Sequence, residues 1–397
     1  DPDIHLGGPA CSDLSLSFVE ELIRDGGDAV DFISIHAYPV GVNTRQNSDK
    51  FAAVSDLRKA IKRVNGWISK YQPQRIDEIE IGISEWNIKV NEDRDTAELI
   101  SALWSALWIG VMFEEGVDFA NEWDLTTYTE EGGHSTFYIN EGNMSVMPKS
   151  QYWALWMWSN LMGSEMLKSD LSGMESVKSF VTRSDTGLQI MLINTSETDE
   201  ATIAFKIKGA SELEGQLHTY SSAEYFWDVH ARKPLWSRPP AVRQITVNHS
   251  NTITLPKFSI NVLELPWTNQ GYSSHTPASS ADKLSLQLSL PDRVPADRAI
   301  EAWVIASDPE AKLPYLQPVE TIQLGIDGPA SLSQTSLELD NAVSAFTVTP
   351  KGAGKITIHA RSGKHSASQS IELVALEERA YTNWTFDNPI YEWQAKS

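Results

Sequence analysis

Four times within the first 165 or so residues, a short apolar strand is followed by a longer amphipathic stretch. That alternation restricts the region to a parallel sheet with helical crossovers. The first strand reads Ile4 to Gly7; the helix after it opens near Ser12 or Asp13, carries Leu16, Val19, Leu22 and Ile23 on one face, and stops at Gly26 and Gly27. The second strand, Val30 to Tyr38, precedes a helix with Val54, Leu57, Ile61, Val64 and Ile68 at helical spacing. The third, Ile79 to Asn87, leads into a helix from about Thr96 to Glu115. The fourth, Val117 to Leu125, is separated by a long loop from a helix that begins near Pro148.

Four such units make half of an eight-stranded (β/α)8 TIM barrel. Half a barrel leaves an open sheet edge and a bare core. Residues 1–168 are therefore expected to be the C-terminal half of a barrel, strands five to eight, with the N-terminal half on polypeptide upstream. The opening DPDIHLGG, with neither an initiator Met nor the apolar core of a signal peptide, agrees with that expectation. From 169 to 267 the pattern turns to short alternating strands such as LQIMLIN and FSINVLEL, predicting a β-sandwich packed on the barrel. A polar, breaker-rich linker over 268–283 leads to an immunoglobulin-like β-sandwich over 284–376. Residues 377–397 read as a tail or the start of a further module. The predicted class is thus α/β plus all-β.

Charge narrows the range of partners. Lys and Arg number 32 against 53 Asp and Glu, a net charge of −21, and no basic run offsets it. Nucleic acid and anionic membrane surfaces are excluded as expected partners. No run of about 18 apolar residues is present to span a bilayer. A single cysteine, Cys11, precludes an internal disulfide. The acidic balance and the appended sandwiches point to an extracellular, secreted or periplasmic protein.

In a βα barrel the chemistry sits at the C-terminal ends of the strands, so polar clusters there are informative. Three of the four strands end in one: His36 and Tyr38; Glu85, Trp86 and Asn87; and Asn121, Glu122, Trp123 and Asp124. Glu85 closes an otherwise apolar strand, where a carboxylate is costly to keep without a purpose. Glycoside hydrolysis needs one carboxylate at the anomeric carbon, a second to protonate the leaving oxygen, and aromatic rings for the sugar faces. Glu85 suits the first role. Trp86 and Trp123 are expected to offer rings, and His36, Tyr38 and Asn87 hydrogen bonds to hydroxyls or to Glu85 itself. Glu122 is a second strand-end acid, expected to bind a hydroxyl or to hydrogen-bond Asn87. The loop 126–146 follows the fourth strand, and its Tyr128 and His134 are further expected substrate contacts.

The succession GGPA, DFISIHAYP, ISEWN, an aromatic-rich fourth strand end and MPKSQYWALW, over Leu6 to Gly163, resembles the second half of clan A glycoside hydrolases. It is most similar to the β-xylosidase and α-L-iduronidase family 39, with the agarase and porphyranase family 86 and the arabinofuranosidase families as neighbours. The resemblance implies a retaining O-glycoside hydrolase with Glu85 as nucleophile, His36 and Tyr38 lining the sugar site, and Trp123 as its floor. The family's acid/base glutamate, usually within N-E-P on strand four, is missing. Asn91-Glu92, Asn121-Glu122 and Asn140-Glu141 lack the proline and the strand. The acid/base is therefore expected on the upstream half of the barrel, and this chain by itself is expected to be inactive.

Competing readings stand beside each of these. Glu85 can instead be a structural carboxylate paired with an arginine. His36 has no second His or Cys at metal-ligand spacing, so no metal and no cofactor is expected. Trp104, Trp108, Trp153, Trp156 and Trp158 fall within helices and read as packing residues rather than sugar platforms. The expected substrate is a plant or algal polysaccharide, such as an agarose- or porphyran-type galactan. The alternatives are an exo-acting β-xylosidase-like glycosidase and, from another class, a non-catalytic carbohydrate-binding protein on a degenerate barrel.

Overall fold

A computed structural model describes residues 4–91, 93–126, 133–140, 145–207, 212–248, 251–266, 283–308, 313–339 and 342–375. All but the last residue of the predicted linker over 268–283, the tail 377–397 and Tyr128 lie outside them. The chain divides into two compact units, Asp1–Ala278 and Ser279–Ser397.

The first unit opens with the strand and helix alternation read from the sequence. Its elements are β1 (Gly7–Cys11), α1 (Val19–Gly26), β2 (Phe32–Ala37), α2 (Asn47–Ala52), α3 (Val54–Tyr71), β3 (Glu80–Trp86), α4 (Leu99–Glu114), β4 (Phe119–Glu122), the short hairpin β5 (Phe137–Asn140) and β6 (Ser145–Pro148), and α5 (Ser150–Leu161). The strands β1 to β4 pair in sequence order as one parallel sheet. The first strand lies later than its apolar residues suggest. Ile4 and Leu6 are exposed, and the glycine-led segment pairs with β2 instead, Gly7 opposite Phe32. Glycine is required there because a Cβ on Gly7 would come within 2.2 Å of the Phe32 ring. Gly82 on β3 leaves room for Phe119 in the same way, and Phe32 and Phe119 meet edge to face at 5.3 Å.

Helix α3 buries Val54, Leu57, Ile61, Val64 and Ile68, the stripe that its spacing predicts. Helix α4 has no polar face: from Ile100 to Met112 every residue is buried. A helix apolar all round must be covered on all sides, and α4 is enclosed between the parallel sheet and a second, antiparallel sheet. That sheet comprises β7 (Glu165–Leu167), β8 (Val177–Arg183), β9 (Gly187–Asn194), β11 (Glu212–Tyr220), β14 (Ala241–Asn248) and β16 (Ser259–Pro266), in the order β14-β11-β16-β9-β8-β7. One face joins the helical core through Phe180, Met191, Ile193, Tyr220, Ile260 and Val262. The other packs Leu192, Leu217, Leu263 and Leu265 under a two-stranded sheet of β10 (Ala201–Ala204) and β15 (Thr252–Leu255). Gly110 lets the layers close, since a Cβ there would sit 2.3 Å from the Phe180 ring. Between β11 and β14 a hairpin of β12 (Tyr225–Asp228) and β13 (Lys233–Ser237) completes the unit; Tyr225 donates to the Ala97 carbonyl at 2.6 Å.

The second unit contains two five-stranded sheets. In one, strands 285–289, 300–308, 343–350 and 330–332 follow in that order, with 313–314 beside 300–308. In the other the order is 293–295, 365–374, 354–362, 322–327 and 336–337. Alternate residues such as Ile356, Ile358 and Ala360 are buried, the period expected of a sheet with one covered face. No helix among the described residues is long and apolar enough to cross a membrane.

Candidate active site

The C-terminal ends of β2, β3 and β4 bring together most of the polar residues singled out from the sequence. The decisive local feature is an irregularity in β3. Ile81 and Ile83 face the helices and are buried, and strict alternation would send Glu85 the same way and Trp86 to the opposite face. The pairing slips between Ile35 and His36 on one side and between Ile83 and Trp86 on the other. A bulge of this kind re-aims the residues beyond it. Glu85 is consequently about one-third exposed, while Trp86 is buried and packs on Trp104, itself stacked on Trp108.

Glu85 is held from β2. The Tyr38 hydroxyl donates to its Oε2 at 2.9 Å, and His36 Nδ1 lies 3.4 Å from the same oxygen. Burial, then the bond to Glu85, raises the Tyr38 hydroxyl well above the usual phenol range, so it stays a donor at every physiological pH. No arginine or lysine side chain pairs with Glu85 among the described residues, which leaves the structural ion pair without a partner.

Several expectations need correction. Trp86 offers no ring to a ligand, because it lies under α4. Asn87 is fully buried and faces neither Glu85 nor a ligand. Its side-chain amide reaches the Trp123 carbonyl at 2.5 Å, the His134 carbonyl at 3.2 Å and Glu122 Oε1 at 3.3 Å, pinning the loop after β4 to the end of β3. His134 is buried as well: its Nε2 meets the Lys89 carbonyl at 2.9 Å, and its ring stands edge-on to Tyr38 at 6.3 Å. It braces the site rather than lining it. Trp123 is 45% exposed and available as an aromatic surface beside the strand ends.

Glu122 sits behind that surface. The Thr136 hydroxyl lies 2.6 Å from its Oε2, and burial, opposed by that hydrogen bond and reinforced by Asp124, lifts the carboxyl to a pKa of about 8. Thr136 had no signal in the sequence, since only the fold-back of the loop brings it here. The same holds for the ion network beneath the β3 end. Lys50 bonds Asp95 at 2.6 Å, and Lys89 bonds Asp95 at 2.5 Å and Asp93 at 2.9 Å. Burial alone would lower the Lys89 ammonium, but the bonds to Asp93 and Asp95 raise it. The network borders a cavity of about 700 Å³, lined also by Glu197, Trp227 and Arg232 and separate from Glu85. Among the described residues no cluster of His, Cys, Asp and Glu is arranged to hold a metal ion.

No family model matches the sequence, and no curated protein does. Solved structures do match. An α-L-arabinofuranosidase from Thermotoga maritima, in an arabinose complex, superposes with a TM-score of 0.55 at 17% identity, over 67% of this chain and 58% of its own. The GH51 α-L-arabinofuranosidase from Thermotoga petrophila gives 0.52 at 16% identity, over 66% and 58%. A GH86 protein in complex with neoagarooctaose aligns over 93% of this chain and 65% of its own, at a TM-score of 0.46 and 9% identity. The structural neighbours are TIM-barrel glycoside hydrolases with sandwich domains. At such identities the likeness is one of fold. The chain spans 58% of the length of the Thermotoga maritima structure.

Proposed function

We propose that this chain carries the nucleophile side of a retaining O-glycoside hydrolase site, with Glu85 as the nucleophile. The observation that supports it best is the bulge in β3, which turns one carboxylate out of an apolar strand and places the Tyr38 hydroxyl 2.9 Å from it. A carboxylate held by a neutral donor, without a neutralising cation, keeps the electron density needed for attack.

In the proposed reaction Glu85 attacks the anomeric carbon as the glycosidic C–O bond breaks, and the departing oxygen takes a proton from a second glutamate. That residue then removes a proton from water, which displaces Glu85 and restores the original anomeric configuration. Tyr38 orients the Glu85 oxygen that is not attacking, His36 stands beside it, and Trp123 supplies the ring against a sugar face. The acid/base glutamate is proposed to lie on an upstream barrel half that covers the free face and edges of the four-stranded parallel sheet, so the chain alone is inactive. The finer reading is an extracellular enzyme for a plant or algal polysaccharide, with agarose- or porphyran-type galactans first, and xylosides or arabinofuranosides as the alternatives.

The test is an assay of the chain joined to its upstream polypeptide on agarose, porphyran, aryl β-xyloside and aryl α-L-arabinofuranoside, with and without Glu85→Gln. Turnover that Glu85→Gln abolishes while sugar binding persists supports the enzyme. Binding without turnover in the unaltered protein would make it a carbohydrate-binding module.

A further inference from the structure

The cavity of about 700 Å³ beside the β3 end has no part in the reaction proposed for Glu85. Its walls come from the loops that follow β2 and β3, from the turn between β12 and β13, and from Phe258. Its volume is that of a small-ligand site. Charge sets it apart from the rest of the molecule. The protein carries a net −21, yet five cations line this cavity against four anions. Its buried part is neutral: Lys50 and Lys89 share Asp95, and Lys89 also bonds Asp93. Arg94 is matched by Glu98 at 2.6 Å. Arg45 and Arg232, both exposed, are left against Glu197, whose carboxylate already accepts from the Asn47 amide at 2.8 Å. Arg45 has no side-chain partner among the described residues.

Backbone conformation marks the same place. Six non-glycine residues among those described have φ in the left-handed region, and two of them, Arg232 at 51° and Phe258 at 45°, line this cavity. Side chains disfavour that conformation, and it persists where the surroundings impose it, often at ligand sites. Phe258 is held there by the edge contact of its ring with Phe51, at 6.1 Å between centroids.

We propose that this cavity is a second binding site, for a saccharide unit that carries a carboxylate or a sulfate. Arg45 and Arg232 take the anionic group, because a guanidinium meets either oxyanion with two parallel N–H bonds. Thr44 and Asn47 line the same cavity and serve the sugar hydroxyls, and Phe258 and Trp227 give its wall aromatic carbon for the apolar face of a pyranose. The buried lysines fix the cavity without binding the ligand, since either could turn to it only by leaving Asp95. Elsewhere the acidic surface repels an anion, which makes this cavity the place where an acidic sugar chain would anchor. That the ligand is a sugar rests on the glycosidase reading; that it is an anion does not.

The test is calorimetric titration of the full chain with trigalacturonate, a sulfated galactotriose, neutral galactotriose and inorganic sulfate. At least one anionic trisaccharide should bind, the two arms telling carboxylate from sulfate. Neutral galactotriose should bind about tenfold more weakly or worse, the scale of one charge-assisted hydrogen bond. Arg45→Gln and Arg232→Gln should each weaken the anionic ligand by about threefold to fivefold, as for an exposed ion pair. Both side chains are exposed, so these variants should keep the fold, and Arg63→Gln, on α3 and outside the cavity lining, should leave binding unchanged. Equal affinity for neutral and anionic trisaccharides, no binding of either anionic one, or binding that survives both arginine substitutions overturns the proposal. Inorganic sulfate bound as tightly as the sulfated sugar would make this an ion site only and overturn the saccharide assignment. Turnover that needs Glu85, with no binding here, removes this site alone. Binding here in a protein that never hydrolyses sugar leaves the site standing and removes the glycosidase reading.

Discussion

Two carboxylates end adjacent strands of one parallel sheet, and their surroundings have little in common. Glu85 on β3 is open on one side and receives a single hydroxyl donor from Tyr38. Glu122 on β4 is partly buried against Thr136 and Asn87, with the charge of Asp124 nearby, and its pKa is raised to about 8. The same side chain, one strand apart, is turned toward solvent in one place and buried enough in the other for its pKa to rise. The difference comes from what each strand end is packed against: the bulge turns Glu85 outward, whereas the returning loop closes over Glu122.

The contrast breaks most visibly under matched substitutions. With the proposed upstream half in place, Glu85→Gln should lower turnover by about 10⁴-fold or more, the scale expected for the proposed nucleophile. Glu122→Gln should leave turnover at neutral pH within several-fold. Equal losses from both would mean that the two acids share one role.

The support beneath the β3 end gives the next largest effect. Asp95→Ala leaves the buried ammonium groups of Lys50 and Lys89 short of their shared carboxylate. Breaking such a pair costs about 3–5 kcal/mol, readable by chemical denaturation. By comparison Asp56→Ala, which removes the exposed pair with Lys59, should cost less than about 1 kcal/mol.

Stability against pH sharpens the comparison further. The folded-state pKa of Glu122 is raised from 4.5 to about 8, so the native state holds a proton there that the unfolded chain releases. Its contribution is complete below about pH 4.5 and is lost as pH rises toward 8. Denaturation midpoints should therefore fall across this window in the unaltered chain, and fall less in Glu122→Gln.

Smaller effects belong to the Glu85 side. Tyr38→Phe removes a hydrogen bond to a charged group, worth about 1.5–3 kcal/mol, and should lower kcat more than it raises KM. Trp123→Ala should weaken sugar binding by about two- to tenfold, the 0.5–1.5 kcal/mol of an aromatic contact, with little change in the melting temperature.

The strand and helix order was legible because the apolar spacing of Val54 to Ile68 and the unbroken apolar run of α4 have single solutions. The position of Glu85 at a strand end was legible because it closes such an apolar run. Trp86 was not: the period of two assigns it to the open face, and only the bulge, a tertiary feature, exchanges it with Glu85. Asn87 and His134 read as polar and therefore accessible, yet both are buried because they satisfy carbonyls of a loop whose return path leaves no trace in local pattern. Lys50 lies in a short amphipathic helix like any surface lysine, and its partner Asp95 is 45 residues away in sequence. The strand at Gly7 was misplaced for the converse reason: its selection rests on the space that Phe32 needs, which no propensity records.

The most direct measurement is covalent trapping. The chain joined to the proposed upstream half, treated with the 2-deoxy-2-fluoro glycoside of whichever sugar it turns over and then digested, should yield one glycosylated peptide with the sugar on Glu85. A glycosyl adduct on Glu122 or on any other side chain, or release of product with inverted anomeric configuration, would contradict the account.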